Sequence, residues 1–385
     1  MKNVYFILIM LLLVMAGCED NKQSTDDLIT VDITKGSFPK KELILQDFMD
    51  VEYIALETKD DFLNHGWVQA IGKKIILVLG RDRGDIFVYN RNGKALRKIN
   101  RKGQGGEEYV SCFNITLDEN RNEIFINDIY RKQILVYDLY GKFKRSFKHK
   151  EGGGSIFYTD IFNYDKENLI CYDQYSEEVP FVLVSKQDGS ITKDIKMPFE
   201  KKILLQQQTT EGEMVYTVTP GPYRSIIIYK DNWMLSELSS DTVYTLLPDH
   251  SLRPSLVRTP PIQSMDPGVF LMLRLLSDRY IFMETIKNVY NWRSNEGFSR
   301  TFFIYDKQEK AFFEYIIYNG DYTNKEEIYM NSLKPVNHEI ESYQTLDASQ
   351  LLESYQKGKL KGKLKDIAAE LEEDSNPVIM LIKHK

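Results

Sequence analysis

The stretch from Gly103 to Phe147, GQGGEEYVSCFNITLDENRNEIFINDIYRKQILVYDLYGKFKRSF, reads as one complete four-stranded β-unit. A glycine-rich turn at Gly103, Gly105 and Gly106 leads into an apolar strand from Phe113 to Leu117. The polar turn Asp118 to Arg121 returns the chain as a strand from Glu123 to Asn127. Asp128 to Lys132 turns it again into Gln133 to Tyr137, and Asp138 to Gly141 feeds the last strand, Lys142 to Phe147. Each strand is rich in the Ile, Val, Phe and Tyr that fit a pleated, half-buried surface, and each turn carries the Asp, Asn or Gly that turn geometry demands. Four antiparallel strands in series make one propeller blade. A single blade leaves both its faces uncovered, so it needs copies of itself.

The copies are present. A strand-turn-strand motif recurs as VYNRNGKALRKI from Val88, VYDLYGKFKRSF from Val136, LVSKQDGSITKDI from Leu183, VYTLLPDHSLRPSLV from Val243 and IYDKQEKAFFEY from Ile304. The separations of about 48, 47, 60 and 61 residues fit propeller repeats with insertions in the later blades. Five units are countable, and the ends supply a sixth. The strands Val51 to Glu57 and Pro377 to Ile382 are otherwise unpaired, and joining them in one blade closes the ring without a free edge. The expectation is an all-β fold, a six-bladed β-propeller of four-stranded antiparallel blades over residues 43–385. Its last blade is closed by the N- and C-terminal strands and carries one inserted helix at about 348–373, where Leu360, Leu364, Ile367, Ala368 and Leu371 share a helical face.

The chain has 385 residues, 42% of them hydrophobic, enough for a substantial core. A net charge of −6 argues against a dedicated nucleic-acid binder, and three cysteines do not make a disulfide scaffold. Cys112 and Cys171 fall at non-equivalent places in their units and are expected as buried free thiols.

The N-terminus reads as an export signal. Lys2 opens a positive end, Val4 to Met15 is almost wholly apolar but too short to span a bilayer, and Ala16 and Gly17 precede Cys18. Val14-Met15-Ala16-Gly17-Cys18 resembles the lipobox of bacterial lipoproteins, with Met15 in the place usually held by leucine. The resemblance implies a signal peptide over 1–17, lipidation of Cys18 and a membrane partner held through that lipid. An ordinary signal peptide with an incidental cysteine is the alternative. Residues 18–42, opening with the acidic run EDNKQSTDD, are expected as a flexible tether.

The glycine-initiated unit resembles NHL-type repeats. The phrase RKGQGGEEY from Arg101, with the terminal DSNPVIMLIKHK, is similar to the six-bladed β-propeller lipoproteins of Bacteroides-like bacteria. That resemblance covers Leu43 to the end. It implies a cell-envelope address, on an outer-membrane lipoprotein facing the surface or the periplasm. It implies no defined activity.

Catalytic signatures are absent from the sequence. There is no P-loop, no GxSxG and no HExxH, and His65, His149, His250, His338 and His384 are scattered without ligand spacing. No catalytic residue, metal ligand or cofactor is therefore assigned. His65, in the loop before the first inner strand, is a candidate for one of several blade-end metal ligands, as in amidating lyases on six-bladed propellers; a solvent-exposed or hydrogen-bonded loop histidine is the reading preferred. Strands of a blade alternate in direction, so one face collects the loops bearing Arg81, Arg83, Glu107, Glu108, Arg131, Tyr175, Trp292 and Arg293. Aromatics with mixed charge suit a sugar or a peptide. Two functions follow: a non-catalytic binding or scaffold module for a glycan, peptide or envelope protein, or a metal-dependent hydrolase or lyase at the channel mouth.

Overall fold

The computed structural model describes residues 28–64, 66–149, 158–221, 223–293, 297–330 and 336–385. The signal segment, Cys18, the acidic run that follows it and His65 lie outside the described residues.

The chain opens with three strands, β1 (Ile29–Asp32), β2 (Lys40–Ile44) and β3 (Asp50–Ala55), the last preceded by a single helical turn, α1 (Leu45–Phe48). Blades then follow in order. The first holds β4 (Trp67–Ile71), β5 (Ile75–Leu79), β6 (Asp85–Asn90) and β7 (Ala95–Asn100). The second holds β8 (Asn114–Asp118), β9 (Glu123–Asp128), β10 (Gln133–Asp138) and β11 (Phe143–Lys148). The third holds β12 (Asp160–Asn163), β13 (Asn168–Tyr172), β14 (Phe181–Ser185) and β15 (Ile191–Ile195). A separate hairpin, β16 (Gln207–Glu211) and β17 (Met214–Val218), precedes the fourth blade. That blade holds β18 (Ile226–Tyr229), β19 (Asn232–Leu235), β20 (Thr242–Leu246) and β21 (Leu252–Thr259). The fifth holds β22 (Val269–Leu276), β23 (Tyr280–Tyr290), β24 (Phe298–Asp306) and β25 (Ala311–Tyr318). The sixth sheet joins β26 (Ile340–Leu346) and β27 (Val378–Lys383) to β3, three strands among the described residues.

Closure falls where the unpaired ends predict it. β27 runs antiparallel to β3 with Val378 opposite Ala55 and Lys383 opposite Asp50, so the two ends of the chain share a sheet. The core lies between blades rather than within one sheet. Leu77 and Val88 of the first blade meet Ile126 and Leu135 of the second, and Phe125 and Val136 meet Leu169 and Val182 of the third. This is the burial that a lone blade cannot supply.

The recurring hairpin motif is the third and fourth strand of five blades, and its shape explains its sequence. In four of the five the register slips at one place, at Val88/Tyr89, Val136/Tyr137, Leu183/Val184 and Val243/Tyr244. The turn that follows contains a left-handed residue, Gly93, Gly141 and Gly189 in the first three blades, His250 and Lys310 in the next two. At Gly93 glycine serves a second purpose, because an added Cβ would fall 1.9 Å from the carbonyl oxygen of Ala55. The first blade therefore approaches the last through this turn, and Glu57 donates its N–H to the Gly93 carbonyl at 2.8 Å.

Two expectations are corrected. The tether was expected to reach residue 42, yet β1 lies parallel along β21, Ile29 opposite Leu256, and β2 lies parallel along β25, Lys40 opposite Glu314. Val31 and Ile33 are buried with Val243 and Leu271, and the Phe38 ring lies 5.0 Å from that of Phe303. Ordering this arm covers apolar surface and pairs the outer edges of the fourth and fifth blades. The single inserted helix is in fact two, α2 (Ala348–Gln356) and α3 (Gly362–Ala368), divided at Gly358, whose φ is +65°. Asp347 caps the first by accepting the Gln350 N–H at 3.2 Å, and Leu351, Leu364 and Ala368 pack on Val378, Met380 and Ile382.

Candidate functional site: the upper channel

The first strands of blades one to four and the segment leading into β26 surround a cavity of 1340 Å³. The face bearing the connections from one blade to the next is here called upper. At that end the cavity is walled by residues at or just before the starts of the first strands, among them Trp67, Phe113, Asp160 and Arg224.

On one side Trp67, 47% exposed, presents its ring to solvent. Arg83, in the β5–β6 turn, sets its guanidinium 5.9 Å from the Trp67 ring and 5.8 Å from the Phe113 ring. It lines the cavity and meets no carboxylate at ion-pair distance among the described residues. Its exposed cation is thus within cation–π range of both rings.

On the opposite side Asp160 is buried, ion-paired with Arg224, and accepts the Ser225 N–H at 3.0 Å. The Arg224 guanidinium stands 5.3 Å from the Phe162 ring, and its buried Nε, like the buried amide oxygens of Asn114 and Asn163, has no hydrogen-bond partner among the described residues. Behind this wall the Tyr172 hydroxyl donates to Glu237 at 2.9 Å, and Lys202 donates to the same carboxylate oxygen at 2.8 Å. Burial pushes the phenols of Tyr172 and Tyr223 far above the ordinary tyrosine value, and the Glu237 carboxylate adds to it. Both line the cavity as neutral hydroxyls.

At the lower end the polar groups hold blades together. Glu119 of the second blade accepts the N–H groups of Lys73, Lys74 and Ile75 of the first, at 2.8, 2.9 and 3.0 Å. Asn337 donates to the Ile71 carbonyl at 2.7 Å, Lys73 pairs with Glu339 at 2.9 Å, and His338 Nδ1 meets the Lys230 carbonyl.

Of the residues singled out from the sequence, Arg83 lines the cavity. Arg81, Glu107, Glu108, Arg131, Tyr175, Trp292 and Arg293 lie outside its lining. Arg131 donates to the carbonyls of Gly105 at 2.8 Å, Gln104 at 2.7 Å and Glu108 at 3.1 Å, fastening the glycine turn. The Glu108 carboxylate accepts the Gly105 N–H at 2.8 Å, and the exposed Glu107 offers its carbonyl to Tyr137. Tyr175 donates its N–H to Asp173 at 2.9 Å. Arg293 does likewise to Asn291 at 3.0 Å, and Trp292 stands edge-on to Tyr290. Arg81 is exposed on the same turn as Arg83. Cys112 and Cys171 are buried free thiols, and burial pushes both well up. No cluster of three or more His, Cys, Asp or Glu side chains with metal-binding geometry occurs among the described residues, and no helix among them is long and apolar enough to cross a membrane.

Sequence reasoning missed Trp67, Phe113, Asn114, Asp160 and Arg224. The signal that finds them is position: each stands within two residues of the start of a blade's first strand.

Six sheets about an axial cavity define a six-bladed β-propeller. Over residues 28–383 the chain matches the family described as Domain of unknown function (DUF4934), and it belongs to that family. It is similar in structure to a Bacteroides fragilis protein named as exported, at 16% identity and a TM-score of 0.57, over 93% of this chain and 99% of that one. It is also similar to a member of the DUF4221 family from Bacteroides vulgatus, at 10% identity and a TM-score of 0.48, over 88% and 99% of the two chains. The first likeness shows a shared fold. No curated protein matches the chain.

Proposed function

We propose that this protein is an envelope-anchored lipoprotein whose propeller acts as a non-catalytic binding module, taking a polar ligand, glycan or peptide, in the upper channel. The observation that carries the reading is the 1340 Å³ cavity itself, whose upper end is lined by Trp67, Arg83, Phe113, Asn114 and Arg224. Convergent polar groups in an apolar-walled concavity are the mark of a ligand site. Binding is favoured over chemistry because the acids nearest this wall are engaged, Asp160 with Arg224 and Glu237 with Lys202 and Tyr172. The anchoring part rests on the motif ending at Cys18 and on the exported name of the similar Bacteroides fragilis protein.

The test is a glycan and peptide array probed with the full-length chain and with Arg224→Ala. A ligand that binds the native chain and is lost from a variant still folded by circular dichroism supports the reading; the variant itself is expected to melt lower, because it leaves the buried Asp160 carboxylate unpaired. Ligands indifferent to Arg224 sink it. Zinc or calcium retained stoichiometrically by channel side chains would turn the reading to a hydrolase or lyase. Cys18→Ser should move the protein from the membrane to the soluble fraction, and unchanged fractionation would remove the anchor from the account.

A further inference from the structure

We infer that the channel ligand is an acidic saccharide, its carboxylate on Arg83 and a sugar face against Trp67. This rests on the channel reading above and goes beyond it by naming charge and chemical class. At the upper end two cations are already paired, Arg224 with Asp160 and Lys202 with Glu237. Arg83 has no such partner among the described residues, yet its guanidinium stands 5.9 and 5.8 Å from the Trp67 and Phe113 rings and lines the cavity. An arginine near aromatic rings and without a carboxylate keeps its planar fork of N–H groups for an incoming carboxylate, which it can take with two parallel bonds.

The class follows from what surrounds that fork. Trp67 offers an exposed flat ring at the rim, the surface on which the C–H face of a pyranose stacks. The rest of the lining carries amide side chains, Gln69, Asn114, Asn163, Gln174 and Gln206, which both donate and accept. A hydroxyl also does both, so a row of sugar hydroxyls suits such a wall. A peptide ending in a free carboxylate would satisfy Arg83 equally well, but its side chains would have to match the same amides.

The experiment measures binding of trigalacturonate, its fully methyl-esterified form and a short peptide with a free C-terminus to the full-length chain, to Arg83→Gln and to Trp67→Ala. The acid should bind the native chain roughly tenfold or more tighter than the ester, the size of a charge-assisted pair. Arg83→Gln should abolish that difference while leaving ester binding in place, and Trp67→Ala should weaken acid and ester alike. Both side chains are exposed, so folding is expected to survive, and melting temperature checks it. Equal binding of acid and ester, or an acid preference that survives Arg83→Gln, overturns the inference. So does tighter, Arg83-dependent binding of the peptide, which reassigns the fork to peptide ends. If neither saccharide binds, the inference fails alone, because the channel reading is decided separately by Arg224→Ala against whatever the array yields.

Discussion

Lys186 places its ammonium 2.6 Å from a carboxylate oxygen of Asp118, with both side chains buried, and so ties the third blade to the second through a charge pair removed from water. The ammonium also reaches the Asp165 carbonyl, and the Lys186 carbonyl receives Arg145 at 2.9 and 2.7 Å. The lysine thus joins two blades by both its ends.

Breaking such a pair from one side strands the other charge. Lys186→Met should lower stability by about 3 kcal/mol, whereas the double change to Lys186→Met and Asp118→Asn should recover part of the loss. Urea denaturation of the three chains gives the answer. Equal loss in the single and double variants would show that the stranded carboxylate is not the cause.

Two buried groups contribute separable parts of the response to acid. Burial alone would raise the Glu123 carboxyl, but Arg145 and Lys144 outweigh it and hold it down at about 2, from an ordinary 4.5. The unfolded chain takes that proton first, so the stabilisation is complete above about pH 4.5 and is lost as pH falls from 4.5 to 2. Burial, with Lys132 and Lys148 nearby, pushes the His149 imidazole down from 6.5 to about 4. Its contribution is likewise complete above 6.5 and is lost as pH falls from 6.5 to 4. Urea midpoints measured from pH 7 to pH 3 should therefore decline in two overlapping steps. His149→Phe should remove the upper step and Glu123→Gln should shrink the lower, to which Asp306, whose burial is outweighed by Arg279 and Lys41, also contributes; a profile unchanged by either variant refutes the assignment.

The N-terminal arm makes a further prediction. Val31 is 1% exposed, so Val31→Ala should cost roughly 2 kcal/mol, the value of a fully buried valine side chain. A flexible tether would lose nothing. Thermal unfolding distinguishes the two, and an unchanged melting temperature would mean that β1 does not hold to β21.

The contrast between blade and arm shows where the sequence is legible. In Gly103 to Phe147 every strand is flanked by its own turn residues, and partners lie within a few residues of one another, so pattern and pairing are read together. The structure repeats those strands to within a residue or two at each end. β1 and β2 are four and five residues long, and their partners, β21 and β25, stand more than two hundred residues away. No local signal announces a parallel strand laid on a distant edge, and acidic residues just upstream disguise it. The site divides in the same way. Alternation of strand direction tells which loops share a face, and Arg83 belongs to that face. It does not tell how far a loop stands from the axis, because radius depends on whether a residue belongs to the first strand of its blade or to the later ones. Trp67, Asp160 and Arg224 are near the axis for that reason, while Arg131 is occupied one turn away.

Arg131 gives the last prediction. Its guanidinium donates to three carbonyls of the turn from Gln104 to Glu108, one of them half-buried and two exposed, and charged donors make stronger hydrogen bonds than neutral ones. Asp128 holds the neighbouring turn from the other side, accepting the Val110 N–H at 2.8 Å and the Arg131 N–H at 3.3 Å. Arg131→Ala should therefore loosen the glycine turn and lower stability by about 2 kcal/mol. Ligand affinity should stay as it was, because the guanidinium lies outside the cavity lining. Glu107→Ala, at an exposed side chain whose carbonyl is the group in use, should change neither quantity. Melting curves and titration of an array-identified ligand test both variants together. Affinity lost from Arg131→Ala at unchanged melting temperature would place the ligand on this turn and away from the channel wall.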